Sequence, residues 1–186
     1  MGQKIAEKIV DAIHTALLGT ENDQLPDGVD IICGLPVVMD GDIKKKENEI
    51  SIFLYDVHED LSSRHGEVRH YEAGEKRFTA GSVRLNYCFL ITYWGPEVEA
   101  VNPKGLKGVA LGSADFIVRR LINLRELSDV AGSYCRVLPP SEGLSSLGSF
   151  WQALGNRPRL CLGYTVTAPM RLESADRGEI GMVRPF

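Results

Sequence analysis

The sequence predicts a single domain of the α+β or mixed α/β class, with one central mixed β-sheet flanked by an N-terminal helix, one long helix and one short helix. Its length of 186 residues is that of one domain. Hydrophobic residues make up 44% of the chain and charged residues 25%, the composition of a globular chain with one buried core. Segments with strand-like alternation are interspersed with segments of helical spacing. We assign this domain to residues 1–169 and interpret residues 170–186 as a C-terminal extension or arm.

The first segment has the spacing of an amphipathic helix. Apolar residues recur at intervals of three and four through residues 3–18, with charged residues between them. Gly19 follows at a position that favours helix termination. After a polar loop, residues 29–33 form an apolar run compatible with a short strand.

Two segments in the middle of the chain have strong strand patterns. Residues 49–57 are apolar on both faces, which predicts a central strand with neighbours on both sides. Within it we place Ile50, Ile52 and Leu54 on one face and Phe53, Tyr55 and Val57 on the other. Residues 83–91 carry an apolar residue at every second position, and this pattern ends at Trp94. If these strands pair, the polar residues 58–81 form an extended hairpin connection that projects from the sheet.

The second half of the chain supplies the remaining elements. We predict a long helix over residues 106–127, a strand over 134–138, a short helix over 145–154 and a last strand from 160 that ends at Pro169. For the long helix, we assign the apolar face to Val109, Ala110, Ala114, Ile117, Val118, Leu121 and Ile122, and the polar face to Arg119, Arg120 and Arg125.

Charge and cysteine content exclude several classes of protein. The net charge of -4 provides no field that would attract nucleic acid or an anionic membrane. No run of about 18 apolar residues suggests a membrane span, and the charged N-terminal segment is unlike a signal peptide, so we expect a cytoplasmic protein. The cysteines lie far apart, with no C-x₂₋₄-C pair, and we expect all of them to be buried, reduced thiols: Cys33, Cys88, Cys135 and Cys161.

One cluster of metal-binding residue types stands out in the polar connection. It consists of His58, His65 and His70, with Glu59, Asp60 and Glu67 nearby. Zinc ligands are usually held at short paired spacings, and the stretch has neither H-x-x-x-H nor H-E-x-x-H. P-loop and G-x-S-x-G motifs are also lacking. We therefore predict no catalytic residue, no cofactor and no metal, and keep a small metal-dependent enzyme that uses the three histidines as an alternative.

Residues suited to protein docking lie at the ends of elements and in the polar segments. Tyr93, Trp94, Phe150 and Trp151 are either interface anchors or core residues, and core packing is favoured for Trp151. The tail after Pro169 is either a frayed end or an arm that adds a strand to a neighbouring sheet. The candidate partner contacts are Arg64, His65, Arg69, His70, Lys76, Arg77, Arg171, Arg177, Arg184 and Phe186.

Three segments, taken in order, carry a family resemblance. Residues 50–59 end a strand in Leu-Tyr-x-Val-x-Glu, and residues 84–94 contain Leu-x-Tyr-x-x-x-x-Thr-x-Trp. Residues 149–155 read Ser-Phe-Trp-Gln-Ala-Leu-Gly, and Tyr-Thr-Val-Thr-Ala-Pro follows at 164–169. Together they resemble the N-terminal domain of the tail-cap, or tail-terminator, proteins of phage-tail-like contractile injection systems.

The resemblance implies a structural protein, not an enzyme. Such subunits form a six-membered ring on the membrane-distal end of the inner tube and the last sheath ring, where they end tube growth and anchor the sheath. The implied partners are further copies of this chain, the inner tube protein and the sheath protein, with no membrane, and no nucleic acid unless the particle is a DNA-containing phage. Assembly in the bacterial cytoplasm is expected. We expect residues 58–81 to contact the terminal tube or a neighbouring cap subunit, and residues 170–186 to engage sheath. A head–tail connector or baseplate subunit is the nearest alternative.

Overall fold

The structure is a computed structural model. It describes residues 4–20, 23–25, 27–35, 38–39, 42–43, 48–62, 71–72, 77–78, 81–95, 109–139, 147–153 and 159–172. The helices in these residues are α1 (Ile5–Leu18), α2 (Val109–Asn123) and α3 (Leu147–Ala153). The strands are β1 (Gly19–Thr20), β2 (Asp23–Gln24), β3 (Asp30–Cys33), β4 (Val38–Met39), β5 (Asp42–Ile43), β6 (Glu49–Glu59), β7 (Tyr71–Glu72), β8 (Arg77–Phe78), β9 (Ser82–Trp94), β10 (Tyr134–Leu138) and β11 (Cys161–Arg171).

One five-stranded mixed sheet forms the centre of the fold, in the order β10-β11-β9-β6-β3. Strand β3 runs parallel to β6, and the other neighbours are antiparallel. The predicted mixed sheet with its flanking helices is therefore confirmed. None of the described helices is both long enough and apolar enough to cross a membrane.

The main hydrophobic core lies between one face of the sheet and helices α1 and α2. Full burial of a Leu, Ile or Phe side chain contributes about 1.5–3 kcal/mol, so this layer accounts for much of the stability. The helices contribute Ile9, Ile13, Leu17, Phe116, Ile117 and Leu121, and the sheet contributes Ile50, Ile52, Tyr87, Phe89, Ile91, Tyr93, Tyr164, Val166 and Ala168.

Strand β6 is an interior strand, but β9 is the one that occupies the middle of the sheet. Its neighbour β3 ends at Cys33, opposite Ile52, so within the described chain the rest of β6 pairs with β9 alone. Burial follows this change, because the side chains are exposed from Asp56 onward. The prediction of a central strand thus holds only for the first residues of β6.

Helix α2 ends at Asn123, four residues before the predicted end at 127. The chain then forms a tight turn in which Leu127 and Val130 make an isolated β-bridge. Within this turn the Leu127 N–H donates to Ser133 Oγ at 2.8 Å. The Cys135 N–H donates to the Arg125 carbonyl at 2.8 Å, which connects the turn to β10. These bonds replace the helical ones and end the helix early.

The buried face of α2 is also rotated relative to the prediction. Phe116 is buried, whereas Val118 and Ile122 are 36% and 40% exposed. Arg120 faces helix α1 and does not lie on the polar side, because its Nε donates to the Ala16 carbonyl at 3.1 Å. A long side chain can cover apolar surface while its charged end makes polar contacts, and sequence spacing does not reveal this choice.

The final strand continues past its predicted end at Pro169 to Arg171. Strand β10 begins opposite Thr167, so among the described strands Pro169 has only β9 as a neighbour, and its missing N–H is tolerated there. Met170 and Arg171 pair with Val83 and Ser82, so the first residues of the interval 170–186 belong to the sheet.

The four cysteines are free, but only Cys88 and Cys135 are buried. Cys161 is partly buried. Cys33, on the outer strand β3, is exposed, so the expectation of four buried thiols is wrong for this residue.

Candidate functional site on the second sheet face

The second face of the sheet has two halves, and one of them is covered by α3. The rings of Trp94 and Trp151 meet edge to face at 6.0 Å, and Phe53 stacks on Phe150 at 6.4 Å. The Trp94 indole N–H donates to the buried Ser51 Oγ at 2.8 Å. These aromatic residues therefore form a second, smaller core within the chain.

This packing decides between the two roles considered for the aromatic residues. Trp94 and Trp151 are each only 5% exposed, and Tyr93 is buried in the main core. The Tyr93 hydroxyl also donates to Asn48 Oδ1 at 2.7 Å. Core packing is confirmed for all three, and the hypothesis that they anchor an interface is wrong.

The other half of this face is polar, with exposed residues on its outer strands β6 and β10 and buried ones on the middle strands β9 and β11. It is formed by side chains that alternate with the core residues of four strands. We call this surface the open face, and it consists of Asp56, His58, Asn86, Cys88, Tyr134, Arg136, Thr165 and Thr167.

A β-bulge in β6 creates this arrangement. The pairing with β9 shifts between Leu54, opposite Phe89, and Asp56, opposite Cys88, so Tyr55 is an extra residue. Without that residue, Asp56 and the residues after it would point to the opposite face. The bulge also moves Val57 to the core side, opposite Tyr87, which corrects its predicted placement.

A chain of hydrogen bonds crosses the open face from β6 to β11. His58 Nδ1 lies 2.8 Å from Asp56 Oδ2, and Asn86 Nδ2 lies 3.4 Å from His58 Nε2. The Thr167 hydroxyl donates to Asn86 Oδ1 at 2.6 Å. These contacts fit a neutral imidazole that donates from Nδ1 to the carboxylate and accepts at Nε2 from the amide.

Cys88 lies beside this chain, and its environment favours the protonated thiol. Burial is the main cause that raises the pKa of Cys88, and the Asp56 carboxylate adds to it. Hydrogen bonds from Thr165 and Tyr55 and the charge of Arg136 lower the pKa by less. Burial likewise raises the pKa of the Tyr55 phenol to about 12. A thiol with a raised pKa is a poor nucleophile at neutral pH.

Three residues of the open face could together hold a metal ion. One ligand atom each from Asp56, His58 and Cys88 lie within 4.8 Å of one another. Carboxylate, imidazole and thiolate are all zinc ligands. This group is not evident from the sequence, because Cys88 joins Asp56 and His58 through strand pairing and not through sequence proximity.

The histidine cluster predicted from the sequence is only partly within the described chain. His65, His70 and Glu67 lie outside it. Glu59 follows His58 in an extended strand and therefore points to the other face. The Asp60 carboxylate accepts bonds from the Ser62 N–H and hydroxyl.

The predicted partner-contact residues are mostly outside the described chain. These are Arg64, His65, Arg69, His70, Lys76, Arg177, Arg184 and Phe186. The backbone of Arg77 lies in β8 and pairs with Glu72 of β7, so residues 58–81 include a small antiparallel pair. Arg171 is exposed at the end of β11, opposite Ser82. The role of these residues in partner contacts stays a prediction.

Exposed apolar side chains occur at several further places in the described chain. On α2 they include Val118 and Ile122, one helical turn apart. On the core side of the sheet they include Val57 in β6 and Met170 in β11, two strands apart, which are 45% and 44% exposed. Alternation along a strand does not tell where the covering helices stop, so the sequence did not reveal the second group.

The sequence and the fold were compared with known proteins. A model of the family described as "Pvc16 N-terminal domain" matches residues 5–184. No curated protein sequence matches the chain. A solved structure described as the sheath/tube terminator of the extracellular contractile injection system PVC, in its extended state, is similar with a TM-score of 0.71 and 34% identity. The tube-terminating cap of the anti-feeding prophage is similar with a TM-score of 0.67 and 37% identity.

The similarity extends over nearly all of this chain but not over all of the two proteins. It covers 100% and 95% of this chain, and 64% and 57% of the PVC terminator and the anti-feeding prophage cap. The chain thus spans less than two thirds of the length of each. The comparisons confirm the resemblance that three sequence segments indicated.

Proposed function

Because the chain belongs to the Pvc16 N-terminal domain family, we propose that it is a tail terminator, the subunit that closes the membrane-distal end of a contractile tail, stops tube growth and anchors the last sheath ring. The observation that carries this proposal is the similarity, along almost the whole chain, to two proteins described as terminators. In this proposal the chain assembles in the bacterial cytoplasm and is carried as a component of the finished particle.

A structural role, without catalysis, agrees with the chemistry of the open face. The thiol beside Asp56 and His58 is held protonated mainly by burial, which removes the strongest available nucleophile at neutral pH. The polar groups around it donate and accept hydrogen bonds among themselves. Contact with other proteins is the simplest use of a surface built in this way.

We propose that the subunits form a homohexameric ring. A closed ring of identical subunits needs two different surfaces on each subunit, one for each neighbour. Exposed apolar side chains at separate places support this, since Val118 and Ile122 lie one turn apart on α2, whereas Val57 and Met170 lie on two different strands of the sheet. Exposed apolar residues that lie together commonly mark protein contacts.

The polar connection and the chain after β11 are the proposed contacts with the rest of the tail. We propose that residues 58–81 contact the terminal tube or a neighbouring cap subunit, and that residues 170–186 engage sheath. The candidate contact residues in the first stretch all have basic side chains: Arg64, His65, Arg69, His70, Lys76 and Arg77. The partners are thus the tube protein, the sheath protein and further copies of the chain, with neither a membrane nor nucleic acid required.

Electron microscopy of particles made without this protein tests the terminator role. Absence of a terminator should give tubes of uncontrolled length, because nothing stops the addition of tube subunits. Few or no tubes would instead indicate a baseplate role, and tubes of normal length with sheath in place would contradict the proposal. Restoring the wild-type chain is the control.

Truncation separates sheath attachment from folding. Deleting residues 173–186 keeps β11 and the hydrogen bond from the Leu172 N–H to the Gly81 carbonyl. We expect an unchanged unfolding midpoint and unchanged tube length, but loss of sheath at the distal end. The mass of the purified protein at rising concentration should approach that of a hexamer, and a strict monomer at all concentrations would contradict the ring.

A further inference from the structure

We propose that the open face contains a zinc site formed by Asp56, His58 and Cys88. The three ligand atoms lie within 4.8 Å of one another. They come from two neighbouring strands of one sheet, and the His58 and Asp56 atoms are already 2.8 Å apart. The site includes His58, the first residue of the stretch 58–81 proposed for tube or neighbour contact, but zinc binding to the isolated chain does not rest on the terminator role.

Strand geometry explains why these residues converge. Asp56 and His58 are two residues apart in β6 and therefore share a face, and Cys88 lies directly opposite Asp56 in β9. Directly opposed residues have Cβ atoms about 4.5–5.5 Å apart, a separation that one metal ion can bridge. The bulge at Tyr55 is what places both β6 ligands on the same face as the thiol. Bulges commonly occur where a side chain is re-aimed for function.

The ligand types select zinc over harder cations. Zinc binds carboxylate oxygen, imidazole nitrogen and thiolate sulfur, and three protein ligands with one open position form a common zinc site. Calcium and magnesium prefer oxygen ligands only. A tetrahedral zinc ion holds its ligand atoms roughly 3.3–3.8 Å apart, so side-chain movements of about 1 Å convert the present arrangement into a binding one.

Protons must be redistributed when zinc binds. The Cys88 thiol loses its proton to solvent, and its sulfur then binds as thiolate. With His58 Nδ1 as the ligand, the ring proton moves to Nε2. The two negative charges of the Asp56 carboxylate and the Cys88 thiolate then balance the two positive charges of the zinc ion. Because the thiol must lose a proton, the affinity for zinc should fall as the pH is lowered.

Asn86, which contacts His58, can adapt to the movement of the ring proton to Nε2. Asn86 now donates to His58 Nε2 and accepts from Thr167. If the Asn86 amide rotates by 180°, its oxygen accepts a hydrogen bond from the protonated Nε2 of His58 and its NH₂ group donates to the Thr167 hydroxyl oxygen. Both hydrogen bonds of Asn86 are therefore kept, with donor and acceptor exchanged. Outer residues of this kind orient metal-binding histidines.

The consequence would be a cross-link between β6 and β9. Beyond Ile52, β6 has no neighbour on its outer side among the described strands, and its last residues lead into the polar connection. A zinc ion held by both strands would fix this part of the sheet. The Asp56 and His58 side chains are 49% and 51% exposed, so solvent reaches the site from their side, whereas Cys88 lies on its buried side.

Metal uptake by the full, tag-free chain tests the site. The protein is freed of metal with a chelator and dialysed against zinc, and bound zinc per chain is measured by elemental analysis. We expect about one equivalent. Cobalt(II) in place of zinc should give the sulfur-to-cobalt absorption band of thiolate ligation. A wild-type chain that takes up no zinc would overturn the proposal.

Variants identify the ligands. We expect His58→Ala and Cys88→Ser each to lower the affinity at least tenfold and Asn86→Ala to lower it about tenfold, whereas Cys33→Ser should bind as the wild type does. His58 is half exposed, so its removal leaves the fold intact, which circular dichroism checks. Unchanged binding by His58→Ala, or loss of the cobalt band in Cys33→Ser, would place the metal elsewhere and refute the site.

Discussion

The two ends of strand β6 differ in burial and in neighbouring strands, although each places a β-branched apolar residue on the core side of the sheet. At the first end, Ile52 has β3 and β9 as neighbours and is 2% exposed. At the far end, Val57 is also a β-branched apolar residue, yet of the strands that the structure describes only β9 lies beside it, and it is 45% exposed. Burial in this strand therefore depends on where the neighbouring strand and the covering helices end, and not on residue type alone.

The two ends are also stabilised in different ways. The first end lies between the helical layer on one face and the aromatic residues Trp94 and Trp151 on the other. At the far end, side-chain hydrogen bonds among Asp56, His58 and Asn86 connect β6 to β9. Apolar burial should therefore dominate stability at the first end, and hydrogen bonds should dominate at the second.

The largest expected effect is the loss of a core side chain at the first end. Ile52→Ala should lower the free energy of unfolding by about 2–5 kcal/mol, because it removes buried methyl groups and leaves a cavity. Val57→Ala, in the same strand, should cost less than about 1 kcal/mol. Chemical denaturation of both variants measures the difference, and equal losses would refute the contrast between the two ends.

A smaller effect is expected from the polar chain at the far end. Thr167→Val keeps the shape of the side chain but leaves the buried Asn86 oxygen without its donor, at a cost of about 1–3 kcal/mol. Thr20→Val, at an exposed position of β1, is the matched control and should cost less than about 0.5 kcal/mol. Similar denaturation midpoints for the two variants would mean that hydrogen bonding contributes little here.

The smallest effect on stability is expected on helix α2. Replacing Val118 and Ile122 by Ser should change the free energy of unfolding by about 0.5 kcal/mol or less for each residue, because both side chains are already partly in solvent. If these residues contact a neighbouring subunit, the same variant should dissociate at higher concentrations than the wild type. Sedimentation over a concentration series measures this, and unchanged association would exclude α2 from the interface.

Much of the fold could be predicted from local pattern. Helix α1 and strands β9 and β10 follow the predictions closely, because their periodicity is regular and most of their apolar residues face the core. The early end of α2 and the direction of Arg120 depend on contacts with residues far away in sequence. No local pattern in the chain encodes such contacts.

The candidate site was harder to predict for the same reason. His58 was recognised, but it was grouped with histidines that follow it in the sequence. Its partner Cys88 is thirty positions away along the chain, and the pairing that joins them depends on one extra residue in β6. A bulge has no strong sequence signal when the extra residue, here Tyr55, is itself a good strand former.

The exposed position of Cys33 gives the sheet edge a chemical marker. This thiol lies on the outer strand, and partial burial together with the charge of Asp11 raises its pKa. Alkylating reagents should therefore modify it slowly at neutral pH and faster in mild alkali. A reagent that labels the isolated chain but not the assembled particle would report that this edge has become covered.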